Sequence, residues 1–480
     1  MYYAAVLAAL AAAATAAVVA AGGAGTSAPV IASSSPQSWR AVLGPRLRVD
    51  VGDRVIVVLR TPSLGERVAA AGGDLTVSQE QAWTQVEVSA QRLLLARLAL
   101  LGVIVHPDAR FSRVLDGFSA LVPPDVVPIV ERDPDVAGVY PVRVAYPAGA
   151  ATGALRADAA GPGDPLASAG VDGRGVTIAL LDTGVDRSAP LLAGRLLPEI
   201  DVVAAGSEEH GTALAGVIAR AAPGASILPI RVVDAYARTD QLISGLDRAV
   251  DPNGDGDAHD AVRIALVPLA VPFAGFPDGP ESLAVAGARD LGVLVVAPAG
   301  NDGPAGPSYG DVASPGGAPS ALTVGALDTR PRIAETHVVV RAGLHTLFDA
   351  FVPLVGDAAP AHALALHVRA PTGPFFTASG GSVVAGAAAL LPLTASARAA
   401  AEAGASAVLL YGDALVPAGA LGGAVHAPAV SLPRRVADAV LRFLAAGAHV
   451  TVTIGAARDL ANPGEGHVAP FSSTGLAFDG

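Results

Sequence analysis

From Gly175 onward the chain alternates short apolar runs with amphipathic stretches. Residues 176–181, 226–233, 263–269, 293–297 and 321–324 read as strands, and 210–221, 239–250 and 280–291 between them read as helices. Apolar strands joined by helical crossovers form a parallel sheet buried on both faces. This rhythm constrains the fold more tightly than any other feature. It predicts an α/β, doubly wound parallel sheet with helices on both faces, whose chemistry gathers at the carboxyl ends of the strands. Apolar residues make up 52% of the 480 and charged residues 15%, which excludes a disordered chain. The absence of cysteine excludes a disulfide framework and thiolate chemistry. A net charge of −12 argues against nucleic acid as a partner.

The flanks organise the rest. Residues 2–21 form an uncharged apolar run followed by small residues, so 1–28 reads as an export signal and the protein as secreted or extracellular. Left uncleaved, the same run would anchor the chain in a membrane. Residues 29–49 are a Pro- and Ser-rich linker. Within 50–147, a strand at 53–60, a helix at 79–101, a strand at 117–122, a short helix after Pro124 and a strand at 136–144 suggest a small α+β unit. A Gly/Ala/Pro-rich linker, 148–170, separates it from the alternating region 171–335 and would be readily cut by proteases. Residues 336–456 mix short strands with one helix at 394–404, and 457–480 close the sequence.

Three motifs fall where the sheet would place chemistry. Asp182, followed by Thr183 and Gly184, ends an apolar strand. His210, followed by Gly211 and Thr212, opens a helix. Asn301 lies in a Gly-flanked loop after the strand at 293–297. A carboxylate that orients a histidine, with the histidine as base for a serine, is a hydrolytic relay. A side-chain amide near it can stabilise an oxyanion. Each motif alone has a plainer reading as a turn or a helix cap; their order and placement together favour the relay.

These segments resemble the subtilisin-like serine peptidases, the subtilases. The likeness rests on Asp182-Thr183-Gly184, His210-Gly211-Thr212 with Ala215 and Gly216, the run from Pro298 to Gly303, and Thr323 to Ala326. Residues 50–147, through Gly117 to Ala120, resemble the inhibitor-type propeptide of that family. Residues 336–456, through Ala403 to Tyr411 and Pro428 to Ser431, resemble a mainly β protease-associated insert. The resemblance implies endopeptidase activity on polypeptide substrates, the chain's own propeptide as a partner, and roles for Asp182 (orienting), His210 (general base and acid) and Asn301 (oxyanion donor).

Some features depart from that pattern. The family's nucleophile lies in a Gly-Thr-Ser-x-Ala-x-Pro motif beyond the segment resembled by Phe471, Ser472 and Ser473, and no such motif follows them here. Ser472 and Ser473 read as structural, and the chain as given is expected to be inactive. A non-catalytic relative acting as a protein-binding or propeptide-like chaperone module is the alternative. Ala213 stands where the family carries a second histidine. Pro268 interrupts the strand along which substrates pair, because proline cannot donate a ladder hydrogen bond. Finally, Asp251, Asn253, Asp255 and Asp257 are spaced like the ligands of a structural calcium loop, although Val262 at its twelfth position excludes an EF-hand.

Overall fold

The computed structural model describes residues 52–147 and 171–475, apart from 74, 205, 207, 235, 304–309, 378, 394, 396, 413–414, 417, 420–424 and 470. The expected export signal and both linkers lie outside the described residues.

The chain begins with a four-stranded antiparallel sheet. β1 (Arg54–Leu59) leads through α1 (Leu64–Ala70) and α2 (Val77–Leu100) to β2 (Pro107–Phe111), β3 (Gly117–Leu121), α3 (Val127–Glu131) and β4 (Val136–Pro141), in sheet order β2-β3-β1-β4. α1 starts where Ser63 and Glu66 cap each other reciprocally: Glu66 N–H donates to Ser63 Oγ at 3.3 Å and Ser63 N–H to Glu66 Oε2 at 2.7 Å. The run of apolar residues in β1 has a simple cause. Val55, Val57 and Leu59 pack on Leu94 and Leu98 of α2, while Ile56 and Val58 point the other way into a core shared with the next domain. The predicted strand 136–144 is two strands. β5 (Val144–Pro147) leaves this sheet altogether.

The second sheet is built from β6 (Thr177–Asp182), β7 (Ile200–Asp201), α4 (Glu209–Ala221), β8 (Ser226–Arg231), β9 (Ala237–Arg238), α5 (Thr239–Val250), β10 (Ile264–Leu266), β11 (Leu269–Ala270), α6 (Pro280–Asp290), β12 (Leu294–Pro298) and β13 (Leu322–Val324). Six of these strands run parallel in the order β13-β12-β10-β6-β8-β7. Successive residues of β6 face opposite cores. Leu180 packs with Ala215 and Ile218 of α4, and Leu181 with Ile243 and Leu246 of α5 and Val285 of α6. Helices therefore cover both faces, as the sequence rhythm predicts. The single strand expected at 263–269 is broken at Val267 and Pro268. β10 stays in the parallel sheet, and β11 joins β5 and β9 in a separate antiparallel ribbon of order β11-β5-β9.

The third sheet carries β14 (Arg332–Ala342), β15 (His345–Pro353), β16 (Leu364–Arg369), β17 (Ala388–Pro392), α7 (Ala397–Glu402), β18 (Ala407–Gly412), β19 (Ala429–Pro433), α8 (Arg434–Ala445), β20 (Val450–Ile454) and β21 (Arg458–Ala461). Its elements extend beyond 336–456 at both ends. It is also less purely β than expected: β16 to β19 pair in parallel, and α8 is a second helix. α8 buries only the small side chains Val436, Ala437 and Val440, and intervening charges dilute its apolar stripe in the sequence. The entering and leaving chains meet, since Asp328 N–H donates to His467 O at 2.9 Å and Ala469 N–H to Ala326 O at 2.8 Å.

Candidate active site

β6 and β12 flank β10 in a parallel sheet, so their strands run about 10 Å apart and Asp182 and the Asn301 loop follow at the same carboxyl edge. Asp182 is fully buried and His210, in the first turn of α4, nearly so. His210 Nδ1 lies 2.9 and 2.8 Å from the two Asp182 oxygens. A carboxylate accepts only, so Nδ1 carries the proton and Nε2 is the basic nitrogen. Nε2 is buried and has no hydrogen-bond partner among the described residues.

Close backbone packing sets this geometry. Gly184 has φ +95°, and a Cβ on Gly211 would sit 2.2 Å from the Gly184 carbonyl. Gly211 N–H donates to Thr183 Oγ1 at 3.0 Å, tying the start of the helix to the end of the strand. Arg231, at the end of β8, secures the loop from the other side. Its guanidinium donates to Thr183 O at 2.8 Å, Glu199 Oε1 at 2.5 Å, Asp201 Oδ1 at 3.0 Å and Glu208 Oε1 at 3.2 Å. Sequence reasoning missed this residue. Its one signal was a single charge at the end of an otherwise apolar strand.

Asn301 is half-buried and follows Gly300, whose φ is +110°. The chain returning from the third sheet supports this loop. Ser473 N–H donates to Gly300 O at 3.0 Å, Ser473 Oγ accepts from Asp302 N–H at 3.1 Å, and Ser472 Oγ accepts from Ala326 N–H at 3.1 Å. Both hydroxyls are thus occupied with backbone.

Next to these residues runs the three-stranded ribbon. β5 lies between two strands of the second domain, with Tyr146 opposite Ala270, Pro147 opposite Leu269, Val144 opposite Arg238 and Ala145 opposite Ala237. Pro268 does not prevent this pairing, because the ladder begins one residue after it.

Three of the four calcium-loop side chains, Asn253, Asp255 and Asp257, neighbour one another, and Asp251 is engaged separately. The Asp251 carboxylate is buried and filled by N–H donors: Gly254 at 2.7 Å, Asp255 at 3.1 Å, Gly256 at 3.0 Å and Arg113 Nε at 2.8 Å. Asn253 and Asp255 bond each other at the surface, and Asp257 accepts from Gln81 of α2 at 3.1 Å. The turn docks the N-terminal unit through Gln81 and Thr84, and Asp257 stands with Glu80 and His259, whose candidate ligand atoms all lie within 4.8 Å of one another.

Residues 173–480 match the sequence profile of the subtilase family. Serine protease AprX of Bacillus subtilis (strain 168) is 30% identical over 176 residues, which are 32% of this chain and 39% of that protein. Subtilisin E of the same organism is 30% identical over 181 residues, 34% of this chain and 44% of that protein. The chain thus spans less than half the length of these relatives. Fervidolysin from Fervidobacterium pennivorans, a keratinolytic enzyme related to subtilisin, aligns at 18% identity and a TM-score of 0.37, covering 58% of this chain and 43% of that one. Because the family profile covers well over half of the sequence, this chain belongs to the subtilase family.

Proposed function

We propose that residues 171–335 and 457–480 belong to a secreted serine endopeptidase acting on polypeptides. The buried, unpartnered Nε2 of His210 carries this reading. With Nδ1–H committed to Asp182, Nε2 is positioned to take a proton from a serine hydroxyl and later return it to the leaving amine. Asn301 would donate to the oxyanion that forms on attack. Among the described residues no serine hydrogen-bonds Nε2, and on this reading the nucleophile comes from outside them. The N-terminal unit is read as a propeptide whose last strand, β5, occupies the ribbon where a substrate would pair, between β9 and β11. The third sheet is read as a protease-associated insert. The β5 pairing also supports the second reading, a peptide-binding relative without turnover.

Labelling with a serine-reactive phosphonate separates the two. The 480-residue chain is expected to stay unlabelled. The same chain extended by a helix bearing Gly-Thr-Ser-x-Ala-x-Pro is expected to label stoichiometrically and to lose labelling in His210→Ala. Labelling that survives this substitution would reject the relay, and an extended chain that folds yet stays unlabelled would favour the binding reading.

A further inference from the structure

Three acidic side chains are buried together where the N-terminal unit meets α5. Glu87 of α2 is 0% exposed, and neither carboxyl oxygen has a hydrogen-bond partner among the described residues. Asp116, between β2 and β3, accepts from Gln91 Nε2 at 2.9 Å through Oδ1, while its buried Oδ2 has no partner among the described residues. Asp247 of α5 faces them across the seam. It accepts the backbone N–H of Arg113 at 2.8 Å and of Val114 at 3.0 Å.

Arg113 is a cation beside the group. Arg113 Nη1 stands 3.6 Å from Asp247, but the same guanidinium is committed to Asp251 through Nε at 2.8 Å and through Nη2. Other described neighbours add negative charge or are engaged elsewhere. Glu66 of α1 repels Asp116, and Arg110 of β2 donates to Gln91 Oε1 at 2.9 Å. Asp240, one turn before Ser244 on α5, is engaged by Ser119 Oγ at 3.0 Å and Arg238 Nε at 3.0 Å. A dry carboxyl group that lacks a counter-charge keeps its proton.

We propose that this seam is a proton latch: the N-terminal unit docks onto α5 with protons held on Glu87 and Asp116, and docking loosens as pH rises above neutral. Burial, reinforced by the neighbouring acids, pushes Glu87 up to about 10, and burial pushes Asp116 up to about 7. Burial raises Asp247 as well. Once α5 withdraws, water reaches these groups and they return to the ordinary carboxylate range, about 4. Docking therefore takes protons from solvent and undocking releases them. Groups raised in the docked state contribute fully below their undocked values and lose that contribution as pH climbs through their docked ones. Between pH 7 and 9 at least one proton separates the two states, so the opening equilibrium should rise about tenfold per pH unit.

The latch rests on reading the N-terminal unit as a releasable occupant of the cleft. It is tested by hydrogen exchange on the full chain from pH 6 to 9, corrected for the intrinsic base catalysis of exchange. Amides of β1, β3 and α5 are expected to open about tenfold more per pH unit above pH 7, while β14 and β20 show no such slope. Glu87→Gln is expected to flatten it. Asp116→Asn, which removes the other unpaired acid, is expected to reduce the slope below pH 8 and serves if the first variant does not fold. A flat wild-type seam, or a slope shared by β14 and β20, would overturn the latch. The amides of β9 and β11 report the underlying reading separately. If they stay protected while the seam opens with the expected slope, the latch stands and release from the cleft is rejected. If seam and ribbon open together without a slope, the latch alone fails.

Discussion

A buried carboxylate needs hydrogen-bond donors, and Asp182 accepts from Thr183 N–H at 2.6 Å and from the His210 ring. Asp182→Asn would keep the shape of the site but favour the wrong imidazole tautomer. In an enzyme completed with its serine, kcat should fall about ten-thousand-fold. Asn301→Ala should cost about a hundred- to a thousand-fold in kcat if its amide meets the oxyanion. Arg231 acts on position instead. Arg231→Met would leave Thr183 O and Glu199 without their donor, and urea unfolding should show a loss of roughly 1–3 kcal/mol. Asp182 and His210 could be picked out in the sequence from glycine-bearing motifs at a strand end and a helix start, and the structure brings them together, while the role given to Asn301 stays a proposal. Arg231 could not be picked out, because its partners come from residues 183, 199, 201 and 208, and only the fold brings them together.

The alternating elements of the central domain were legible because burial on both faces leaves strands uniformly apolar. What escaped depended on tertiary partners. Nothing local separates β4 from β5; the division exists because β5 finds β9 and β11. The same holds where α1 crosses α6. A Cβ on Gly65 would meet Gly287 O at 2.6 Å, and one on Gly287 would meet Val114 O at 2.1 Å. These glycines let two helices and a loop approach at backbone distance. Gly287→Ala should force them apart and cost about 1–3 kcal/mol in urea unfolding, the usual cost of overpacking. An unchanged midpoint would mean that the crossing yields without loss.

Across the whole molecule, changes of element rhythm and the family resemblance divide the sequence at 50–147, 171–335 and 336–456, and the structure carries an antiparallel sheet, a parallel sheet and a third sheet spanning 332–461. The docking of the first on the second was not legible, since buried acids such as Glu87 look like ordinary helix-surface residues in the sequence. The docked strand has a further consequence. β5 and β6 belong to one polypeptide, so β5 is presented to its ribbon at an effective concentration on the order of millimolar, whatever the protein concentration. Severing the connection between them ends that independence. In a chain carrying an engineered cleavage site within 148–170, ribbon occupancy should be indifferent to dilution before the cut. After it, the fragment should depart once the solution is diluted below its own dissociation constant. The covalent link would then hold β5 in its ribbon within a single molecule, and after its loss the volume into which the fragment escapes would decide how long the ribbon stays filled.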